Sequence, residues 1–140
     1  MLLLPGSCSI RVTEIATGNF TGGPLTEVVS MRVRSLGWCL FGSNSAATDA
    51  SCIQKVLHVL AVARWTHEKR GVADVGVSVI GFSSPEGSAT QNLRLSALRA
   101  ASVASLIRSM AVKYHVSVKI LNTKGYGSYA HSQRSALILY

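Results

Sequence analysis

The feature that most constrains the fold is a strand, a tight turn and a long helix in immediate succession. Val75, Val77 and Val79 alternate with smaller or polar residues and lead to Gly81-Phe82. Alternation of this kind buries one face of a β-strand. Ser83-Ser84-Pro85-Glu86-Gly87-Ser88 then breaks the pattern. From about Asn92 to Tyr114 the apolar period changes. Ala100, Val103, Ile107, Met110 and Tyr114 form one stripe, flanked by Leu95, Leu98 and Leu106. A strand and an amphipathic helix joined by a short turn must pack on each other, because each has one greasy face to bury.

The rest of the chain repeats this logic. Val28 to Phe41 reads as a strand, with Met31 and Val33 alternating against Arg32 and Arg34. Gly42 to Asp49 breaks it, and Thr48 or Asp49 suits a helix start. Ile53, Val56, Leu57, Leu60, Ala61 and Arg64 predict a helix over about Thr48–His67, and Gly71 suits its left-handed end. Val116, Val118 and Ile120 predict a further strand. Asn122 to Arg134 reads as a loop, and Ser135 to Tyr140 as a closing strand. The expected class is α+β: a two-layer sandwich of order β-α-β-α-β-β, with a mixed sheet and two long helices on one face. Residues 1–27, punctuated by Gly18, Gly22, Gly23 and Pro24, read as a loosely ordered N-terminal arm, and residues 28–140 as one domain.

Composition excludes several classes. With 48% hydrophobic and 14% charged residues, 140 residues make a globular chain able to bury a core. The net charge is +8, and no acid follows Glu86, whereas Arg94, Arg99, Arg108, Lys113, Lys119, Lys124 and Arg134 do. Such a surface suits an anionic partner or a solvated basic face. The three cysteines, Cys8, Cys39 and Cys52, are odd in number and not closely paired, which predicts buried thiols rather than a disulfide framework. No run reaches the roughly 18 apolar residues of a membrane span. Met1 to Ser9 lacks a basic start and has only three leucines before Pro5, so no standard secretory signal is expected. Asn19-Phe20-Thr21 has the form of a glycosylation triplet.

Catalytic and cofactor readings of the turn fail on chemistry. A nucleophilic serine at Ser83 would need a following acid and then a histidine, but His115 and His131 have no carboxylate downstream of Glu86. Gly87 and Ser88 at a helix start could offer amides to an anion, yet the glycine signatures of nucleotide folds are missing. His58, His67, His115 and His131 form no metal-ligand spacing. The chain is therefore read as a non-enzyme without cofactor or metal.

The motif itself is more specific. Gly81-Phe82, Ser83-Ser84, Gly87-Ser88, Asn92, Leu95-Ser96, Arg99-Ala100 and Val103 follow the order of the OmpA-like peptidoglycan-binding domain family. Leu40 to Thr48 resembles that family's first strand and entry to helix one, Lys124 to Ser128 its third-strand exit, and Arg134 its final-strand arginine. The resemblance covers about residues 28–140. It implies a binding module for the diaminopimelate end of peptidoglycan peptide, on the periplasmic or outer-membrane side of a bacterial envelope. In the family an aspartate and the helix arginine hold that ligand; here Ser84 takes the aspartate position and Arg99 is kept. Losing a charged hydrogen bond costs about 1.5–3 kcal/mol, and Glu86 is placed to supply a shifted carboxylate. The implied ligand-binding set is Ser83, Ser84, Glu86, Asn92, Arg99 and Arg134. Arg99 is expected on a partly exposed helix face toward the Ser83–Gly87 loop, so that Arg99→Ala leaves the fold intact. Two alternatives stay open. One is a structural subunit of a larger assembly, such as a mitochondrial one, that keeps the fold without the ligand. The other is a basic nucleic-acid-binding domain in which Phe82 and Tyr126 stack on bases.

Overall fold

The computed structural model describes residues 7–13, 26–32, 36–128 and 133–140. The Asn19–Thr21 triplet, residues 1–6 and His131 lie outside them. The chain divides into two compact units, Met1–Ser35 and Leu36–Tyr140. In the first, β1 (Ser7–Thr13) and β2 (Thr26–Arg32) pair antiparallel, Ser7 opposite Arg32 and Thr13 opposite Thr26. The stretch Val28–Phe41, read from sequence as one strand, contributes to both units: β2 ends at Arg32 and β3 runs Leu36–Leu40.

The second unit has the expected order: β3, α1 (Ala50–Arg70), β4 (Val75–Ser83), α2 (Ala89–Tyr114), β5 (Val118–Ser128) and β6 (Ser135–Leu139). Its four strands lie in the order β3-β6-β4-β5. β4 pairs parallel with β5 and antiparallel with β6, and β3 pairs antiparallel with β6. The sheet is mixed, and two helices pack on it to make the α+β sandwich. Both helices begin where side chains can satisfy free amides. Asp49 caps α1 by accepting from the Cys52 amide at 2.8 Å. Ser88 and Gln91 close a reciprocal capping box on α2, each side chain accepting from the other's amide. That box starts α2 three residues before the expected Asn92. Gly71 ends α1 in the left-handed conformation, as its sequence position predicts.

The core joins Val56, Val59 and Leu60 of α1, Val77 and Val79 of β4, Val103 and Ile107 of α2, and Ile138 of β6. Tyr114, placed on the α2 stripe from sequence, is exposed, and Ala104 and Ala111 are buried beside the remaining stripe residues. By length and composition alone α2 is apolar enough to cross a membrane; its buried face packs on β4, β5 and β6.

Two expectations are corrected. Asn122–Ser128 is not loop: β5 continues through it to Ser128. Gly125 does not turn the chain, and Gly127, in the left-handed conformation, marks a register shift between β4 and β5 without ending the strand. A Cβ on Gly125 would lie 2.3 Å from the Ala97 amide nitrogen, and one on Gly81 of β4 only 1.9 Å from the Ser96 carbonyl oxygen. Both glycines let α2 sit directly on the sheet. The second correction concerns cysteine. Cys39 and Cys52 are not thiols but a disulfide, both 1% exposed. The chain leaves β3, loops, and returns its first α1 turn over the strand end, bringing together residues 13 apart in sequence.

Candidate functional site

The turn between β4 and α2 forms one wall of an open cleft of about 610 Å³. Ser84, Glu86 and Gly87 come from that turn, and Gln91, Asn92, Arg94, Leu95 and Leu98 from the first turns of α2. Ser43 and Asn44 from the β3–α1 loop and Arg134, just before β6, complete its lining.

Three of the residues expected at the site supply its exposed polar wall. Ser84 donates its hydroxyl to the Glu86 carboxylate, which aims that carboxylate along the turn. Arg134 lines the opposite side and is exposed. Asn92 also lines the cleft but is buried, its amide nitrogen donating to the Ser128 hydroxyl at 3.3 Å, a bond between α2 and the end of β5. Ser83 is buried at the end of β4, opposite Ser128 in the strand register.

Arg99 departs from expectation. It is not on a partly exposed face; it is 0% exposed and does not line the cleft. Its Nε donates to the Ser45 carbonyl at 2.8 Å, Nη1 to the Phe82 carbonyl at 2.9 Å and Nη2 to the Gly42 carbonyl at 3.1 Å. The guanidinium also lies 5.4 Å from the centre of the Phe41 ring. Three of its five N–H donors are thus spent on backbone. They bind the β3–α1 loop to the end of β4, so Arg99 shapes two walls of the cleft from behind. Burial, and secondarily the nearby Arg134 cation, press its guanidinium below its ordinary value. Ser96, one turn earlier, is equally buried. It accepts from the Gly127 amide at 2.8 Å and donates to the Leu93 carbonyl, fastening α2 to β5.

Arg94 was not singled out from sequence, yet it is the second exposed cation of the cleft. Its signal was present: Gln91, Arg94, Leu95 and Leu98 fall at intervals that share one helix face. Asn92, Ser96, Arg99 and Val103 recur on the neighbouring face, which is the buried one. Among the described residues, Glu86, Arg94 and Arg134 make no ion pair with one another or with other residues. The cleft therefore presents one carboxylate and two guanidinium groups to a ligand. No group of three His, Cys, Asp or Glu side chains able to hold a metal ion occurs among the described residues.

This architecture matches solved structures. The peptidoglycan-associated lipoprotein from Burkholderia pseudomallei superposes with a TM-score of 0.56 at 14% identity, covering 74% of this chain and 88% of that one. The OmpA-like domain of FopA1 from Francisella tularensis gives 0.56 at 15% identity, over 75% and 70%. The chain has an OmpA-like fold. An outer membrane protein from Borrelia burgdorferi extends the likeness to 91% of this chain and 96% of that one, with a TM-score of 0.54 at 17% identity. No family model and no curated protein matches the sequence. The OmpA-like fold of this chain is thus carried at very low identity. Gly81, Asn92, Ser96, Arg99 and Gly125, among the residues that carry the sequence resemblance, hold α2 to the sheet and the loops to one another.

Proposed function

We propose that this chain is a non-catalytic binding module whose cleft takes the amino-acid end of a wall peptide, the diaminopimelate terminus of peptidoglycan. The observation that carries this reading is the charge pattern of the cleft. A carboxylate oriented by a neighbouring hydroxyl, Glu86 with Ser84, stands on one wall, and the guanidinium groups of Arg94 and Arg134 occur on the others. An ammonium and a carboxylate on one carbon need that pairing, and a guanidinium fork suits the carboxylate. The module is taken as residues 28–140, with its compact part at Leu36–Tyr140. One solved neighbour is described as peptidoglycan-associated and another as an outer membrane protein, which supports a place on the periplasmic or outer-membrane side of a bacterial envelope. The Cys39–Cys52 disulfide supports an oxidising compartment of that kind.

The test is calorimetric titration with the tripeptide L-alanyl-γ-D-glutamyl-meso-diaminopimelate. Glu86→Gln and Arg134→Ala should each weaken binding by about tenfold, the effect of one charged hydrogen bond, with unfolding curves unchanged. A wild-type chain that does not bind the tripeptide would overturn the reading. A second reading, a structural subunit of a larger assembly such as a mitochondrial one, is favoured by the burial of Arg99. The arginine that the motif would assign to ligand is consumed by backbone carbonyls. It predicts that the chain co-purifies with partner subunits and ignores the tripeptide.

A further inference from the structure

The helices cover one face of the sheet; the other face carries a row of aromatic rings. Val77 and Val79 point into the core, so by strand alternation Ile80 and Phe82 point to the open side. The register sets Trp38 opposite Leu137 and Leu137 opposite Ile80, so Trp38 shares that side. Trp38 and Phe82 have ring centres 6.3 Å apart, and Phe82 and Tyr126 6.2 Å apart with planes within 20°. Trp38 is 47% and Tyr126 50% exposed. Single exposed rings are ordinary, but a contiguous row across three strands of one sheet face marks a binding surface. The row lies at the end of the sheet from which the cleft-lining loops leave. Phe82 lies two residues before Ser84, and Ser135, paired with both Leu40 and Phe82, follows Arg134 directly.

Charge on this face decides what it suits. The open-side residues of β3, β6 and β4, namely Trp38, Leu40, Leu137, Ile80 and Phe82 with the intervening Ser and Gly positions, include no ion. Its cations, Lys119 and Lys124, are confined to β5 at one edge, where Lys124 Nζ lies 4.9 Å from the centre of the Tyr126 ring and is engaged with it. A nucleic-acid strand needs cations along its backbone as well as stacking rings, and most of this surface offers none. Pyranose rings suit it better. Their equatorial hydroxyls leave a flat patch of C–H groups, which rests on the electron-rich face of an aromatic ring.

We propose that Trp38, Phe82 and Tyr126 form a glycan subsite, at the cleft's end of the sheet, that takes a few consecutive sugars of an uncharged N-acetylhexosamine strand. This rests on the wall-peptide reading and extends it from the peptide to the sugar chain that bears it. A module holding both would grip intact wall more tightly than either fragment.

The probe is chitohexaose, an oligomer of N-acetylglucosamine, with affinity read by calorimetric titration for every variant and Trp38 emission followed where Trp38 is kept, in a Trp65→Phe background. Binding should shift the emission to the blue and be insensitive to salt. Trp38→Ala and Tyr126→Ala should each weaken it by about tenfold, Trp38→Phe should restore most of it, and none should alter the affinity for the tripeptide. Absence of chitohexaose binding by the wild-type chain, or binding indifferent to both alanine substitutions, overturns the subsite while leaving the peptide reading intact. Chitohexaose binding without tripeptide binding sinks the peptide reading alone. Tight, salt-sensitive binding of a single-stranded oligonucleotide that Trp38→Ala abolishes would show the row to be a base-stacking platform and overturn the glycan assignment.

Discussion

At the scale of single residues, Arg99 decides how the site is understood. A cation removed from water is costly, and the nearby Arg134 adds to that cost. Three carbonyl acceptors and the Phe41 ring offset it. Truncation would leave those carbonyls to find water or go unpaired. Arg99→Ala should therefore destabilise the chain by about 3 kcal/mol or more, read as a lower urea midpoint at unchanged slope. Arg99→Lys keeps the charge but cannot span three acceptors, and should recover less than half of the loss. Arg134→Ala, on an exposed residue, should leave stability within about 0.5 kcal/mol while weakening tripeptide binding. An Arg99→Ala protein as stable as wild type would remove Arg99 from the architecture and return it to the ligand-binding set. The helical period already placed Arg99 in phase with Ser96 and Val103, both buried. What could not be read was that carbonyls of Gly42 and Ser45, more than fifty residues away, would meet it.

At the scale of elements, α2 is held to the sheet by close backbone approach rather than by side-chain bulk alone. Gly81 and Gly125 face backbone atoms of Ser96 and Ala97, which no rotamer change can move. Gly81→Ala and Gly125→Ala should each cost about 3 kcal/mol or more, because the helix must lift from the strands. Gly37→Ala is the control: its Cβ would meet only ordinary contacts at 3.7 Å or beyond, and thermal unfolding should change little. Equal effects of all three substitutions would mean that glycine's backbone freedom, not the approach, matters. The same glycines explain what the sequence concealed. Hydrophobic alternation located β4, α1 and α2 because each buries a periodic face. It failed on the second half of β5, where Lys124-Gly125-Tyr126-Gly127 imitates a turn. There the buried positions are glycines, so no apolar residue marks the strand.

At the scale of the whole molecule, the chain closes one loop covalently, with no local sign of it in the spacing of its cysteines. Cys39 sits at the end of a strand and Cys52 in the first turn of a helix. Their partnership depends on α1 folding back over β3, a tertiary event that spacing does not encode. The loop between them is the segment whose Gly42 and Ser45 carbonyls hold Arg99 and whose Ser43 and Asn44 line the cleft. Fold and site are therefore tied at one place. With native protein in denaturant, one of the three cysteines should react with a thiol reagent before reduction and all three after it. A disulfide closing a loop of this size restricts the unfolded chain by about 3 kcal/mol. Cys39→Ala with Cys52→Ala should lower the free energy of unfolding by about that amount, and raise the urea slope because the unfolded ensemble expands. If the double variant matches wild type in both midpoint and slope, the bridge does not constrain the unfolded chain and the β3–α1 loop is held by Arg99 alone. In that case Arg99→Ala should also destroy tripeptide binding; with the disulfide in place, the loop retains one anchor and binding should weaken without being lost.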